Sequence, residues 1–234
     1  ATLNAFEGLR ERRLADGIML GATLLYAVIA LWVITQGDWI GHADYAENAN
    51  VARSFVEGRG LSVDYRAQFY GENLPLAHPA ETWPLLQPVM IVPFFVLFGP
   101  QEWAAKLPNL FVMLALVWMV YRVSSGLWDK RVGLLAGLLV MSHAYFFNAA
   151  LYPINDLPFT TLFFALAWLL WRFVTPGESP ADVGSGVPPQ KRGLLPRGIV
   201  HPILIGVLAA LLIWSKPSGA LLLFGLGVWA VWVW

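Results

Sequence analysis

The chain has 234 residues, 58% of them hydrophobic and 13% charged, with a mean hydropathy of +0.60, where a soluble domain carries roughly 25% charge. This excludes an ordinary soluble enzyme and fits a chain that meets a bilayer along several segments. The 15 basic and 15 acidic residues cancel, leaving no charge argument for a nucleic-acid partner, and the absence of cysteine removes disulfide and thiolate chemistry.

Residues 7–16 are charged, and 17–37 then run without a charge, long enough to cross a hydrocarbon core of about 30 Å at 1.5 Å per residue. This is the first expected span. The charged residues before it and the missing small-residue cleavage pattern argue against a cleaved signal peptide. A polar excursion begins at residue 38, too long for a simple helix connection. Within it, 43–58 reads as an amphipathic helix, with Tyr45, Ala49, Ala52 and Phe55 or Val56 on one side and Asp44, Glu47 and Asn48 on the other. Gly58 and Gly60 stop it.

Residues 83–100 are apolar but hold Pro84, Pro88, Pro93 and Pro100, so they are expected as a juxtamembrane or re-entrant element. The outer loop then extends over 38–106. Further spans are expected at 107–121, 132–155, 157–171, 198–215 and 217–234, with 175–200 as a cytoplasmic linker rich in Gly, Pro and Ser. The basic clusters at Arg10, Arg12 and Arg13, at Arg122, Lys130 and Arg131, and at Arg172, Lys191, Arg192 and Arg197 belong inside by the positive-inside rule. One crossing then joins residue 38 to residue 122. Asp44, His78, Asp156 and Lys216 consequently emerge together on the outer face. The reading is an all-α polytopic membrane protein, a single membrane domain over 1–234 with its N-terminus cytoplasmic. The ending inside an apolar run, 231–234, is what a piece of a longer polypeptide is expected to show.

Each polar residue near that face carries two readings. Asp44 is either a cap for the short helix or a base for an acceptor hydroxyl. Glu47 either supports Asp44 or is a solvated residue of an amphipathic helix. Asp156 is an N-cap beside Pro158, or an acceptor-positioning or metal-facing carboxylate. Lys216 snorkels or meets a phosphate, with Arg53 and Arg66 as secondary phosphate candidates or solvated surface residues. His42, Asp44 and Asp156 are the candidates for a divalent metal, although His42, His78 and His201 form no ligand array and no HExxH spacing is present. No GxGxxG or Walker loop is present, which disfavours direct nucleotide use.

The elements HADYAENANVARSFVEGRG at 42–60, HPAETWPLLQPVMIVPFFVLFGP at 78–100, AAKLPNLF at 104–111, SGLWDKRVGLLAGLLV at 125–140, LYPINDLPFT at 151–160 and IWSKPSGALL at 213–222, in this order, resemble the GT-C membrane glycosyltransferases. The branch they resemble is the family 39-like one of protein O-mannosyltransferases and the lipid A aminoarabinose transferase. The resemblance implies a GT-C-like transmembrane bundle. It also implies Asp44 as catalytic base, Asp156 as a second important aspartate and Lys216 on the donor phosphate; Glu47 and His78 are the supporting candidates beside them. Tyr45 stands where a second acid is frequent, and Ala80 where a second proline is common.

The implied reaction is inverting transfer of a sugar from a polyprenyl-phosphate donor to a protein, lipid or glycan acceptor, on the periplasmic, extracellular or lumenal side. A transporter or flippase of polyprenyl-linked substrates, and a noncatalytic assembly subunit working with partner subunits, are the alternatives from other classes.

Overall fold

The computed structural model describes residues 2–37, 40–65, 75–80, 83–174 and 200–233. They form α1 (Thr2–Gln36), α2 (Ala43–Val56), β1 (Ser62–Val63), β2 (His78–Pro79), α3 (Leu86–Phe98), α4 (Glu102–Leu127), α5 (Lys130–Ser142), α6 (Ala144–Leu151), α7 (Asp156–Val174), α8 (Val200–Ser215) and α9 (Gly219–Val233). The result is a mostly α-helical bundle. Two of its helices, at Arg13–Gln36 and Glu102–Leu127, are long and apolar enough to cross a membrane, and the bent pair α5 and α6 adds a third if it counts as one span. On α1 the large apolar residues Leu24, Leu25, Val28 and Trp32 point outward, the arrangement expected of a helix whose solvent is lipid.

Helix α4 is the hub, packing on α1, α3, α5, α6 and α7. Its Leu110, Met113, Val117 and Tyr121 meet Met19, Ala30 and Ile34 of α1 and Ala149, Ala150 and Leu157 beyond α5. A second cluster joins Ala49 and Ala52 of α2 to Ile91 and Phe95 of α3 and Ala104 and Ala105 of α4. Small residues set how closely these helices approach. A Cβ on Gly133 would collide with Ser125 Oγ, and one on Gly137, a turn later, would lie 2.9 Å from Met19 Cε. The GxxxG spacing is therefore used within the chain, to seat α5 on α4 and α1.

The uninterrupted span expected over 132–155 is corrected. The two helices bend by 61° at the break, where His143 is extended at φ −73° and ψ 119°. The Ser142-His143 pair inside the apolar run was the available signal. Helix α6 then ends at Leu151 because Pro153 disfavours helical backbone at Tyr152, which is extended at φ −134° and ψ 151°.

The amphipathic helix expected over 43–58 forms as α2, but its faces are partly the reverse of the expectation. Glu47 and Asn48 are buried, whereas Phe55 and Val56 are exposed. Covering by α3 and β1 accounts for the reversal: the Tyr65 hydroxyl faces Glu47, and Asn48 Nδ2 donates to the Pro153 carbonyl at 3.0 Å, while Asn48 Oδ1 and Ser54 Oγ are buried without a protein partner. The reading of Glu47 as a solvated residue is therefore corrected. The proline-rich stretch 83–100 becomes α3, a helix too short to count as a span, which tolerates Pro93 in its interior. Of the linker expected at 175–200, residues 175–199 lie outside the described residues.

Candidate functional site

One turn of backbone and two side-chain grips assemble one end of the bundle. Asn109, fully buried in α4, donates to the carbonyls of Ala149 at 3.0 Å and Ile154 at 2.9 Å, and accepts from Gln87 Nε2 of α3 at 2.8 Å. With Asn48 holding Pro153, side chains from α2 and α4 fix the turn between α6 and α7. That turn delivers Asp156 as the first residue of α7, where the helix dipole favours a carboxylate.

The Asp156 carboxylate is engaged at both oxygens. Oδ1 takes the Lys216 ammonium, and Oδ2 accepts from the Tyr145 hydroxyl at 2.9 Å. Lys216 is placed by the break between α8 and α9, since the residue before Pro217 leaves the helix. Its Nζ also lies 5.9 Å from the centre of the Phe159 ring. The pair is partly open, with Lys216 42% exposed, so its value is chemical more than stabilising.

Asp44 stands on the same rim. His42 is the N-cap of α2, its Nδ1 3.4 Å from both the Asp44 amide nitrogen and Asp44 Oδ2. A bare Nδ1 accepts from the amide; a protonated one donates to the carboxylate. The capping role thus belongs to His42, and the Asp44 carboxylate remains half-exposed in the first turn. Its neighbour Tyr45 stacks on Tyr152 with centroids 5.8 Å apart. Burial first, then the charges of Asp156 and Asp44, push the Tyr45 phenol above its ordinary pKa, which places it within electrostatic reach of both carboxylates.

Gly41 permits the packing. Its φ of +102° is left-handed, and a Cβ there would lie 2.6 Å from Tyr45 Cδ2 and 2.9 Å from Tyr152 Cδ1. Beneath the aromatic pair, buried Lys106 donates to the Gly37 carbonyl at 3.2 Å and lies 5.8 Å from the Tyr152 ring centre.

The other candidates are placed elsewhere. Arg53 lies 3.6 Å from Glu57 and 3.7 Å from Asp64, in a surface cluster with Arg59 near the far end of α2. Asn50 donates to Asp64 at 2.8 Å, and this bond, followed by Arg59, holds the Asp64 carboxyl below its ordinary value. His78 pairs with Val63 in the two-stranded ribbon, its ring nitrogens 2.9 Å from the Pro79 carbonyl and 3.2 Å from that of Tyr65. Arg66 lies outside the described residues.

Among the described residues no three His, Asp or Glu side chains converge as metal ligands. His42 and Asp44 face each other, while Asp156 is committed to Lys216 and Tyr145. The candidate set His42, Asp44 and Asp156 does not form a three-ligand metal site in this arrangement. Sequence reasoning missed Tyr145 and Tyr152. Their signal was one tyrosine shortly before the LYPIND turn and one within it, at the border between apolar and polar residues.

The fold and this end together define a helical membrane bundle presenting a carboxylate-lysine pair, a second carboxylate and tyrosines on one rim. Residues 82–187, a little under half of the chain, match the sequence profile of the family described as Dolichyl-phosphate-mannose-protein mannosyltransferase. The matched stretch runs from just before α3 through α7 and contains Asp156; Asp44 and Lys216 lie outside it. The match relates this region to those transferases at a coarse level. No curated protein and no solved structure matches the chain.

Proposed function

We propose that the protein is an inverting glycosyltransferase that moves a sugar from a polyprenyl-phosphate donor to an acceptor hydroxyl. The membrane topology belongs to the proposal: a GT-C-like multi-pass bundle with a cytoplasmic N-terminus and its Asp156 rim on the periplasmic, extracellular or lumenal side. The observation that carries the reading is the half-open Asp156-Lys216 pair on the same rim as Asp44. The family match over α3 to α7 supports it.

In this mechanism Asp44, half-exposed beside His42, accepts the proton of the acceptor hydroxyl. The hydroxyl oxygen attacks the anomeric carbon while the bond to the lipid phosphate breaks, with inversion at that carbon. The departing phosphate keeps the bond electrons, and Lys216 offsets its charge. Asp156, held by Tyr145, keeps the ammonium positioned before donor binds. One base and one cation suffice because a phosphate with its charge neutralised is already a competent leaving group.

The test is transfer by the purified full-length protein from a defined polyprenyl-phosphate-sugar. Asp44→Asn is expected to lose about 10²–10⁴-fold in turnover with an unchanged melting temperature. Normal turnover in that variant ends the assignment of Asp44 as base.

A further inference from the structure

The chemistry proposed above assigns tasks to Asp44, Asp156 and Lys216 and leaves half of Tyr145 unused. Its side chain is 47% exposed near the start of α6. The 61° bend at His143 separates the direction of this short helix from that of α5, and from there the phenol hydroxyl reaches Asp156 Oδ2 at 2.9 Å. The partner fixes the direction of that bond. A carboxylate paired with an ammonium can only accept, so the hydroxyl hydrogen is committed to Asp156 and the Tyr145 oxygen offers lone pairs. An O–H that donates to a charged acceptor becomes the better acceptor itself, because each bond in such a chain polarises the next. The outward side of the Tyr145 hydroxyl is thus an acceptor sharpened by Asp156. It takes an O–H or N–H, not a carbonyl or phosphate oxygen.

Which part of a donor meets that oxygen follows from the other partner of the carboxylate. Lys216 is bonded to Asp156 Oδ1 and Tyr145 to Oδ2, so the ammonium and the phenol oxygen are separated by the width of one carboxylate and two hydrogen bonds. In the proposed reaction the half-open ammonium faces the donor phosphate. Tyr145 lies within electrostatic range of Tyr45, which in turn lies within range of both Asp156 and Asp44, so the cation, the tyrosine and the base share one rim. Inversion puts the leaving phosphate and the attacking hydroxyl on opposite sides of the anomeric carbon. The flanks of that carbon are the ring oxygen and carbon 2. The ring oxygen has no hydrogen to give. A hydroxyl on carbon 2 has one, and it is the sugar hydroxyl nearest the phosphate.

Resting on the transfer reading, we propose that Tyr145 is a specificity-determining residue that accepts a hydrogen bond from the substituent at carbon 2 of the donor sugar. The substrate class is then sugars that carry a hydroxyl or an amide N–H at that carbon. As the anomeric carbon gains positive charge, a hydrogen bond from the 2-hydroxyl strengthens, so the contact favours the transition state over the bound donor. A 2-deoxy sugar instead leaves the tyrosine oxygen covered and without a partner.

The experiment crosses two proteins with two donors. Purified full-length native protein and Tyr145→Phe are each given polyprenyl-phosphate mannose or glucose, and the 2-deoxy hexose donor that is the counterpart of both. For the native protein kcat/KM is expected to be about tenfold lower with the 2-deoxy donor, the scale of one hydrogen bond, although losing an electronegative oxygen at carbon 2 by itself eases the developing charge. In Tyr145→Phe the hydroxylated donor falls by about the same factor, and the discrimination between the two donors shrinks to unity or below. Loosening of Asp156 and Lys216 in that variant lowers both donors alike and cancels in the ratio of ratios, so a purely structural role leaves the ratio unmoved. Should the variant not fold, a 2-O-methyl donor, which keeps the oxygen and lacks the hydrogen, is given to the native protein and is expected to do no better than the 2-deoxy one. A native protein that uses the 2-deoxy or 2-O-methyl donor as well as the hydroxylated one overturns the assignment of Tyr145, and so does discrimination that persists in Tyr145→Phe; in both cases the transfer reading stands. No transfer from any of these donors removes that reading and this assignment with it.

Discussion

The two ends of the bundle use the same three residue types and do different things with them. At one end Asp16, Tyr121 and Lys130 close a triangle: the tyrosine and the lysine both bond Asp16 Oδ1, the lysine also reaches the tyrosine oxygen at 3.2 Å, and its Nζ sits 4.8 Å from the ring centre. Every group is spent on fastening α1 to α4 and α5. At the other end Asp156, Tyr145 and Lys216 stay open, because the two carboxylate oxygens hold separate partners and the lysine keeps much of its surface free. Tyr121 and Lys106, one near each end, are 15 positions apart on α4, about 22 Å at 1.5 Å per residue. An aspartate-lysine pair is thus closed or open according to whether its partners share an atom and how much of the lysine faces outward.

The largest effect that separates the two ends is expected from Lys216→Met. Under the proposed reaction it lowers transfer by about 10²–10³-fold, because the leaving phosphate loses its cation, while thermal unfolding barely shifts. Equal losses of activity and stability would make the open end a clasp too. Next comes Asn109→Leu, which strands the buried carbonyls of Ala149 and Ile154 and the Gln87 amide. A loss of about 3 kcal/mol or more in a denaturant or thermal titration is expected, with the rim disordered in parallel.

Lys130→Met is the counterpart of Lys216→Met. It costs about 1 kcal/mol, since the Asp16 pair is partly exposed, and leaves turnover per folded molecule unchanged. The smallest effect concerns the surface cluster on α2. Its Asp64 carboxyl is held below the ordinary value of 3.8 by Asn50 and Arg59, so the associated stability is present above that pH and is lost as pH falls through the lower folded value. Melting curves on acidification should fall more steeply for the native chain than for Asp64→Asn.

Several features of this architecture were legible as sequence. Uncharged runs of the right length gave α1 and α4, and the residues Asp156 and Lys216 stood out because each interrupts apolar sequence next to a proline. That the two touch was not legible, since 60 positions separate them and hydropathy carries no distances. The break at His143 was missed because an apolar run of sufficient length reads as one helix unless proline or glycine divides it. The buried face of α2 was partly misread for a related reason: periodicity groups Asp44, Glu47 and Asn48 by polarity, but only tertiary partners such as Tyr65 and the Pro153 carbonyl decide which polar groups can be buried. Pro153 itself did carry the end of α6, through its effect on Tyr152.

The hold of Asn48 on the Pro153 carbonyl spans 105 positions, and this sets an order of events during synthesis. Helix α2 emerges early and must wait for the LYPIND turn before its amide finds a partner. A nascent chain that has reached α7 has Asp156 beside Tyr145 but still lacks the cation that arrives with residue 216. The rim of the proposed transfer site is consequently among the last parts of the described molecule to be completed, and under that proposal chains halted before that point should insert into a bilayer without being able to position a lipid phosphate.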